Sequence, residues 1–323
     1  MINTQIKNYS KKDIKKWKNN NINSLYVKIK NSTVTYDKLK SNNSERSESI
    51  KQMINDVLKK YTIKDVELII NLSDIPFNNI YFLGFSSTTN TNINTIPNFS
   101  FYQWDYPNSS NFFQIKQDIL NANIEWEHKK DKIMWSGLNS NIIRERFNDY
   151  IKNNNFYEYN LINQYDIHKK FYTLPEHGNY KYLLDLEGVG YSGRFPYLAL
   201  TGSCVILLEN IDHDRDYKLY YDLEFKKDIH YIKVRYQKED SIESIHNKII
   251  SKIQNSDCKK IGLLCKEKAI NIFTLDNILL SMSNILKYYS EYYVDQDIEL
   301  NKDLTYYIPM SNTIKNFIIN KHK

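Results

Sequence analysis

Tyr180-Lys-Tyr-Leu-Leu-Asp-Leu186, Glu187-Gly-Val-Gly-Tyr-Ser-Gly193, Arg194-Phe-Pro-Tyr-Leu-Ala-Leu-Thr201 and Cys204-Val-Ile-Leu-Leu-Glu209 read in order as strand, glycine-rich turn, helix and strand. Short apolar runs bounded by glycine are the pattern of strands buried on both faces. The expected order is a strand over Tyr180 to Leu186, a helix from Gly193 to Thr201, and a strand over Cys204 to Glu209. This β-turn-α-β order is the repeating unit of an α/β fold. Five of the eight glycines (Gly178, Gly188, Gly190, Gly193 and Gly202) lie within 25 residues. Glycine permits positive φ and close main-chain approach. A turn between strand and helix carries free N–H groups and the positive end of a helix dipole, which suits an anion. Arg194, just inside the helix, can grip phosphate oxygens with two N–H groups. A phosphate-bearing ligand is therefore expected, with tight strand–helix packing as the plain alternative.

The alternation continues on both sides. Downstream lie a strand (Ile229 to Val234) and helices over Ser241 to Asn255, Lys259 to Thr274, Leu275 to Tyr293 and Tyr306 to Asn320. Upstream, Lys132-Ile-Met-Trp-Ser136 is a strand ending at Gly137, followed by a helix from Asn141 to Asn153 and a strand from Phe156 to Leu161. This series starts afresh near residue 130, which marks a second α/β domain. Before it, residues 1 to 60 read as polar helices and connectors, with one apolar face on Ser49 to Lys60. Val66 to Leu72 and Ile80 to Phe85 are strands, 86 to 95 a polar loop, and Ile115 to Ile124 a helix. Strands alternating with helices predict parallel sheets covered on both faces.

Composition bounds the rest. A chain of 323 residues that is 41% hydrophobic and 14% aromatic can bury full cores. The excess of Asn, Ile, Lys and Tyr, against 8 Gly and 6 Pro, fits an AT-rich genome such as that of a large DNA virus, a protist or a low-GC bacterium. A net charge of +6 without a dense basic stripe does not fit a nucleic-acid binder. The three cysteines, Cys204, Cys258 and Cys265, lack metal-site or disulfide spacing, so no metal is expected and a reducing compartment is. No apolar run nears the ~20 residues of a membrane span, and no signal-like region opens the chain. A cytoplasmic protein is the expectation, in the host cytoplasm or the virion if the source is viral.

Gly188-x-Gly190-x-x-Gly193 also matches the dinucleotide fingerprint, with Glu209 at the end of the next strand where a ribose-binding acid would sit. That keeps an NAD(P)-dependent oxidoreductase open. Against it, the motif lies in mid-chain rather than in a first βαβ unit.

The wider stretch separates these readings. Glu176-His177-Gly178-Asn179-Tyr180-Lys181-Tyr182-Leu183, then Gly188-Val-Gly190-Tyr-Ser192-Gly193-Arg194-Phe195, then Gly202-Ser203, resembles the signature of glycosyltransferase family 90. These are the capsule-associated-protein-like enzymes, including protein O-glucosyltransferases and capsule xylosyltransferases. Trp135-Ser136-Gly137 with Arg144 downstream is similar to the family's strand end and its arginine. Asp74-Ile75-Pro76, Phe85-Ser86-Ser87-Thr88 and Pro97-Asn98-Phe99-Ser100-Phe101 are similar to its N-terminal motifs.

The resemblance implies a GT-B fold, in which two Rossmann-like domains face each other across a cleft. On this reading residues 1-128 form the acceptor-side domain and 129-280 the nucleotide-sugar domain. Residues 281-323 are then helices returning to the first. The implied reaction moves glucose or xylose from a UDP-sugar to a hydroxyl of a glycan or protein, with inversion and with no required metal or cofactor. Loss of UDP develops negative charge on its β-phosphate, which fixed donors would stabilise. The donor-site residues implied are Arg194, Arg144, Ser192, Gly193, Gly190 and Gly137, with Glu176 and His177 at the edge of the nucleotide. Inversion also needs a carboxylate to take the acceptor proton. The protein O-glucosyltransferases carry an Asp four residues before the proline that is Pro97 here, and that position is Ile93. Asp105 and Asp74 are the substitutes to consider. Without one, the chain would be a non-catalytic nucleotide-sugar binder. The family's second arginine after the strand-end glycine is Asn139.

Overall fold

The structure is a computed structural model that describes residues 6–18, 23–39, 44–76, 81–91, 93–102, 111–152, 154–163, 171–212, 215–298 and 300. It divides into two compact units, one of residues 1–106, 217–221 and 275–323, the other of residues 107–216 and 222–274.

In the first unit, β1 (Tyr9–Ser10) leads into α1 (Lys11–Lys18), followed by β2 (Ser24–Lys30), β3 (Thr33–Leu39), α2 (Ser44–Lys60), β4 (Val66–Asn71), β5 (Phe82–Gly84) and β6 (Asn94–Thr95). The sheet order is β3-β2-β4-β5-β6. Strands β4, β5 and β6 run parallel, but β2 is antiparallel to both β3 and β4. The wholly parallel arrangement expected here is therefore corrected to a mixed sheet, and the stretch expected to be helices and connectors contains a hairpin. The cause is legible in physical terms. Asn31 and Ser32 have φ of 50° and 61°, which is a two-residue turn whose twist matches that of the strands. Leu25, Val27 and Ile29 alternate inward, with Tyr26 and Lys28 between them and Lys30 following.

The lysines of this region are largely paired. Lys15 meets Asp297 at 3.0 Å, Lys28 meets Glu67 at 3.0 Å and Lys30 meets Asp295 at 3.1 Å. The core of the unit is aromatic: Trp17 stacks on Tyr81 with centroids 4.6 Å apart, and Tyr9 packs edge-on against Tyr289.

The second unit holds α3 (Phe112–Asn121), β7 (Lys130–Leu138), α4 (Ile142–Ile151), β8 (Tyr157–Ile162), α5 (Leu174–His177), β9 (Tyr180–Asp185), α6 (Phe195–Leu198), β10 (Cys204–Asn210), β11 (Ile232–Tyr236), α7 (Ile242–Gln254) and α8 (Cys258–Ile272). Its five strands are all parallel, in the order β11-β10-β9-β7-β8. This is the α/β pattern expected from the alternation. Counted from β7, the order is 2-1-3-4-5, a doubly wound sheet whose topological switch lies between β7 and β9. Ligands of such sheets bind outside the carboxyl ends of the strands at that switch.

Helix starts are set by local side chains. Asn141 caps α4 by accepting from the Ile143 amide, Ser241 caps α7 and Asp257 caps α8. The core includes Trp135, Phe147, Leu184, Ile206, Val234 and Ile245. Each such side chain contributes roughly 1.5–3 kcal/mol by leaving water. Buried Lys129 donates to Gly178 O at 2.6 Å and to Thr201 O and Ser203 Oγ at 3.1 Å each, stitching the starts of three strands together.

The helix expected over Gly193 to Thr201 is shorter. It is α6, four residues long, continued by a 3-10 turn over Ala199–Thr201. The chain then returns to the first unit through α9 (Leu275–Tyr292), which packs on α2 and β4, and β12 (Tyr293–Val294), which pairs with β1 in parallel. The helix expected over Tyr306 to Asn320 lies outside the described residues. Among those described, no single helix is long and apolar enough to cross a membrane. The broken pair α8 and α9 reaches that length and hydropathy together, but each helix spends its apolar face on a protein core.

Candidate functional site

At the switch point, β7 ends in Trp135-Ser136-Gly137-Leu138 and β9 ends in Leu184-Asp185, before the turn 186–194. Arg144 from the first turn of α4 and Arg194 at the start of α6 each hold the guanidinium carbon 5.1 Å from the centre of the Trp135 ring. A glycine lies beside each. A Cβ on Gly137 would lie 2.9 Å from the Trp135 ring and 3.3 Å from Arg194 Nη1, and one on Gly188 would lie 3.4 Å from Arg144 Nη2. Close approach therefore explains Gly137, whereas the contact at Gly188 is an ordinary one, and Gly202 is the glycine with a positive φ, at 72°. Of the two reasons for glycine raised by the sequence, positive φ does not apply within the turn 188–193.

The two arginines do different work. Arg144 is buried and nearly saturated. Nε donates to Glu187 O at 2.8 Å, Nη1 to Leu138 O at 2.7 Å and Ser140 Oγ at 2.8 Å, and Nη2 to Leu186 O at 3.0 Å. Burial, then repulsion from Arg194, brings it down to about 9, so it remains a cation near neutrality. The side chain of Arg194 is 17% exposed. Its Nη1 donates to Ser136 O at 2.7 Å, while Nη2 reaches Leu186 O only at 3.5 Å. Among the described residues its Nε has no acceptor. Burial also lowers Arg194, and Asp185 opposes that shift.

The turn itself is polarised. Leu186 O and Glu187 O accept from Arg144, Gly188 O from Asn141 Nδ2 at 2.8 Å, Val189 O from Arg215 Nη1 at 2.9 Å, and Gly190 O from the Gly188 amide at 3.0 Å. Five consecutive carbonyls are thus turned onto protein donors. Among the described residues, the amides of Gly190, Ser192 and Gly193 donate to no protein acceptor. A turn with its acceptors satisfied, open donors and a guanidinium beside it is an anion-binding concavity. With α6 only one turn long, the arginine and the amides carry that capacity, rather than a helix dipole.

A family model of glycosyl transferase family 90 matches residues 1–306, spanning both units. The chain belongs to glycosyltransferase family 90. A sugar donor and an acceptor are therefore its substrates. The search of curated proteins finds no match.

The structure sorts the other motif residues of this glycosyltransferase. Glu176 closes a capping box on α5, its carboxylate accepting from the Thr173 amide at 2.7 Å and the Thr173 hydroxyl at 3.1 Å. His177 is buried. Its Nδ1 donates to Thr173 O at 2.9 Å, because a carbonyl can only accept. That leaves Nε2 unprotonated, and it has no protein partner. Burial, with a smaller push from Arg194, brings His177 down to about 4. Glu209, the acid of the fingerprint reading, is engaged by Lys233 at 2.7 Å and Arg235 at 2.8 Å.

Asp74 and Ile93 fall in the first unit. Both Asp74 oxygens face the Arg46 guanidinium, at 2.8 and 3.2 Å. Ile93 is buried, and its Cδ1 lies 2.7 Å from where a Cβ on Gly84 would stand. Asp105 lies outside the described residues. Asn139, which the resemblance set against a family arginine, donates to Asn163 at 3.1 Å and to Glu145.

Sequence reasoning missed Asp185 and Glu187. Asp185 is buried at the end of β9, with its Oδ1 accepting from the Ser192 hydroxyl. Glu187 is buried as well, accepting from Asn141 at 3.1 Å and from the Tyr236 hydroxyl at 3.3 Å. Burial raises both carboxyls, and Arg194 opposes the shift at Asp185. The signal was available: acids inside an apolar parallel strand and its exit are almost never buried without a partner.

Proposed function

We propose that this glycosyltransferase moves glucose or xylose from a UDP-sugar to a hydroxyl of a glycan or protein, with inversion and without a metal. What supports this most is the polarised turn: the open amides of Gly190, Ser192 and Gly193 beside the unspent Nε of Arg194. On this reading the diphosphate rests there. As the bond from the sugar C1 to the β-phosphate oxygen breaks, these fixed donors stabilise the charge that grows on the leaving group. The acceptor oxygen attacks C1 from the opposite side, and a carboxylate takes its proton. Asp105 is the first candidate for that base, since the oxygens of Asp74 are held by Arg46. The two units, each with a five-stranded sheet, would be the halves of a GT-B enzyme. The three buried, unpaired thiols suit a cytoplasmic setting.

The test is binding and turnover of UDP-glucose and UDP-xylose, with and without EDTA, across a panel of sugar and peptide acceptors. Transfer that persists in EDTA is the expected result. Stabilisation of the protein by NAD(P) but not by UDP would overturn the reading. A second reading, donor binding without turnover, is favoured by the buried Ile93 at the position of the family's aspartate. Binding without hydrolysis or transfer would establish it.

A further inference from the structure

We propose that Asp185 is a positioning residue that aims Arg194 at the donor's diphosphate, an inference that rests on the donor-site reading above. Asp185 is 1% exposed and ends a strand whose preceding side chains, Leu183 and Leu184, are fully buried. A fold needs no carboxylate there, because well-packed apolar residues commonly serve such a site as well or better. Its contacts show what it does instead. Oδ1 accepts from the Ser192 hydroxyl and lies 3.8 Å from Arg194 Nη2. Ser192 Oγ in turn faces the Arg194 amide at 3.4 Å. One carboxylate therefore references both the main chain and the guanidinium of Arg194, while its Oδ2 has no protein partner.

The charge balance explains why such a reference is needed. Arg144 and Arg194 flank the same indole and repel each other, and Arg144 is fixed by its four hydrogen bonds. Arg194 has one short bond, to Ser136 O. Among the described residues, Asp185 is the carboxylate that pairs with it. Without Asp185, repulsion would set the guanidinium's place and the ligand would have to reorder it. With Asp185, its Nε side is oriented before the phosphate arrives, which is where preorganised donors gain their effect.

The experiment is a double-mutant cycle on the full chain, with Asp185→Asn and Arg194→Ala, read as UDP affinity by calorimetry and with uridine as the phosphate-free control. Asp185→Asn is expected to weaken UDP binding on the order of tenfold in the Arg194 protein and by less than about twofold in the Arg194→Ala background. Uridine affinity should stay within about twofold throughout, as a structural collapse would not allow. Should Asp185→Asn fail to fold, Ser192→Ala carries the same cycle, since it cuts the link from Asp185 to the Arg194 amide. Equal losses in both backgrounds, or an equal loss for uridine, would overturn the proposal while leaving the donor site standing. A wild-type chain that does not bind UDP, or an Arg194→Ala variant that binds it normally, overturns the donor-site reading and this proposal with it.

Discussion

Arg144 and Arg194 approach the same Trp135 ring at the same 5.1 Å, yet Arg144 makes four protein hydrogen bonds with its five N–H groups, while Arg194 keeps its Nε without an acceptor among the described residues. The Arg194→Ala variant should therefore fold and lose UDP affinity by roughly 10- to 100-fold, the worth of one charge-assisted bond. Arg194→Lys should recover little of it, since an ammonium cannot reproduce the planar fork. Calorimetric titration with UDP, alongside circular dichroism, checks both variants.

Arg144→Ala should behave in the opposite way. Its removal strands the carbonyls of Leu138, Leu186 and Glu187 in a buried crevice. A loss of about 3 kcal/mol in unfolding free energy is expected, and urea denaturation reads it. A variant of unchanged stability with lost UDP binding would make Arg144 a ligand rather than a brace.

His177 makes stability depend on pH. The folded chain holds this ring neutral down to about 4, whereas the unfolded chain protonates near 6.5. Stability from the neutral ring is complete above pH 6.5 and drains away as pH falls towards 4. Between pH 7 and pH 5 wild type should lose about 2 kcal/mol more than His177→Asn does. Both proteins share Asp185 and Glu187, so the difference isolates the histidine. Parallel loss in the two would place the titration elsewhere.

The strands and helices of the second unit were legible because a wholly parallel sheet writes itself as apolar runs between capped helices, as at Met134-Trp135 and Val205-Ile206. The β2–β3 hairpin was not, because Lys28 and Lys30 drown the inward alternation of Val27 and Ile29, and Asn31-Ser32 lacks the glycine that marks such turns. The site was legible as a place and less so as a set of roles. The family resemblance pointed to Arg144 as a donor-site residue, but only the fold shows its donors consumed by carbonyls. Glu176 reads as a motif residue, and it closes a helix cap three residues from Thr173.

Gly262 offers a test that has nothing to do with ligands. A Cβ there would stand 2.6 Å from Gly202 O and 2.9 Å from the Ser203 carbonyl carbon, both backbone atoms with no side chain to swing aside. Gly262→Ala should cost about 1–3 kcal/mol and lower the thermal midpoint. An unchanged midpoint would mean that α8 can slide on β10.

An aspartate at residue 93, where the family resemblance would put an acid, should not create activity. It would drop a carboxylate into the packed space over Gly84, at a cost of about 3 kcal/mol or more. Thermal unfolding should register the loss before any transfer assay does. Appearance of turnover in a stable Ile93→Asp protein would reverse this.

The seating of Ile93 against Gly84 also ties two positions of the chain together. A Cβ at residue 84 would meet Ile93 Cδ1 at 2.7 Å, so any larger residue at 84 calls for a shorter or reoriented side chain at 93. The two positions are expected to tolerate substitution as a pair more readily than singly.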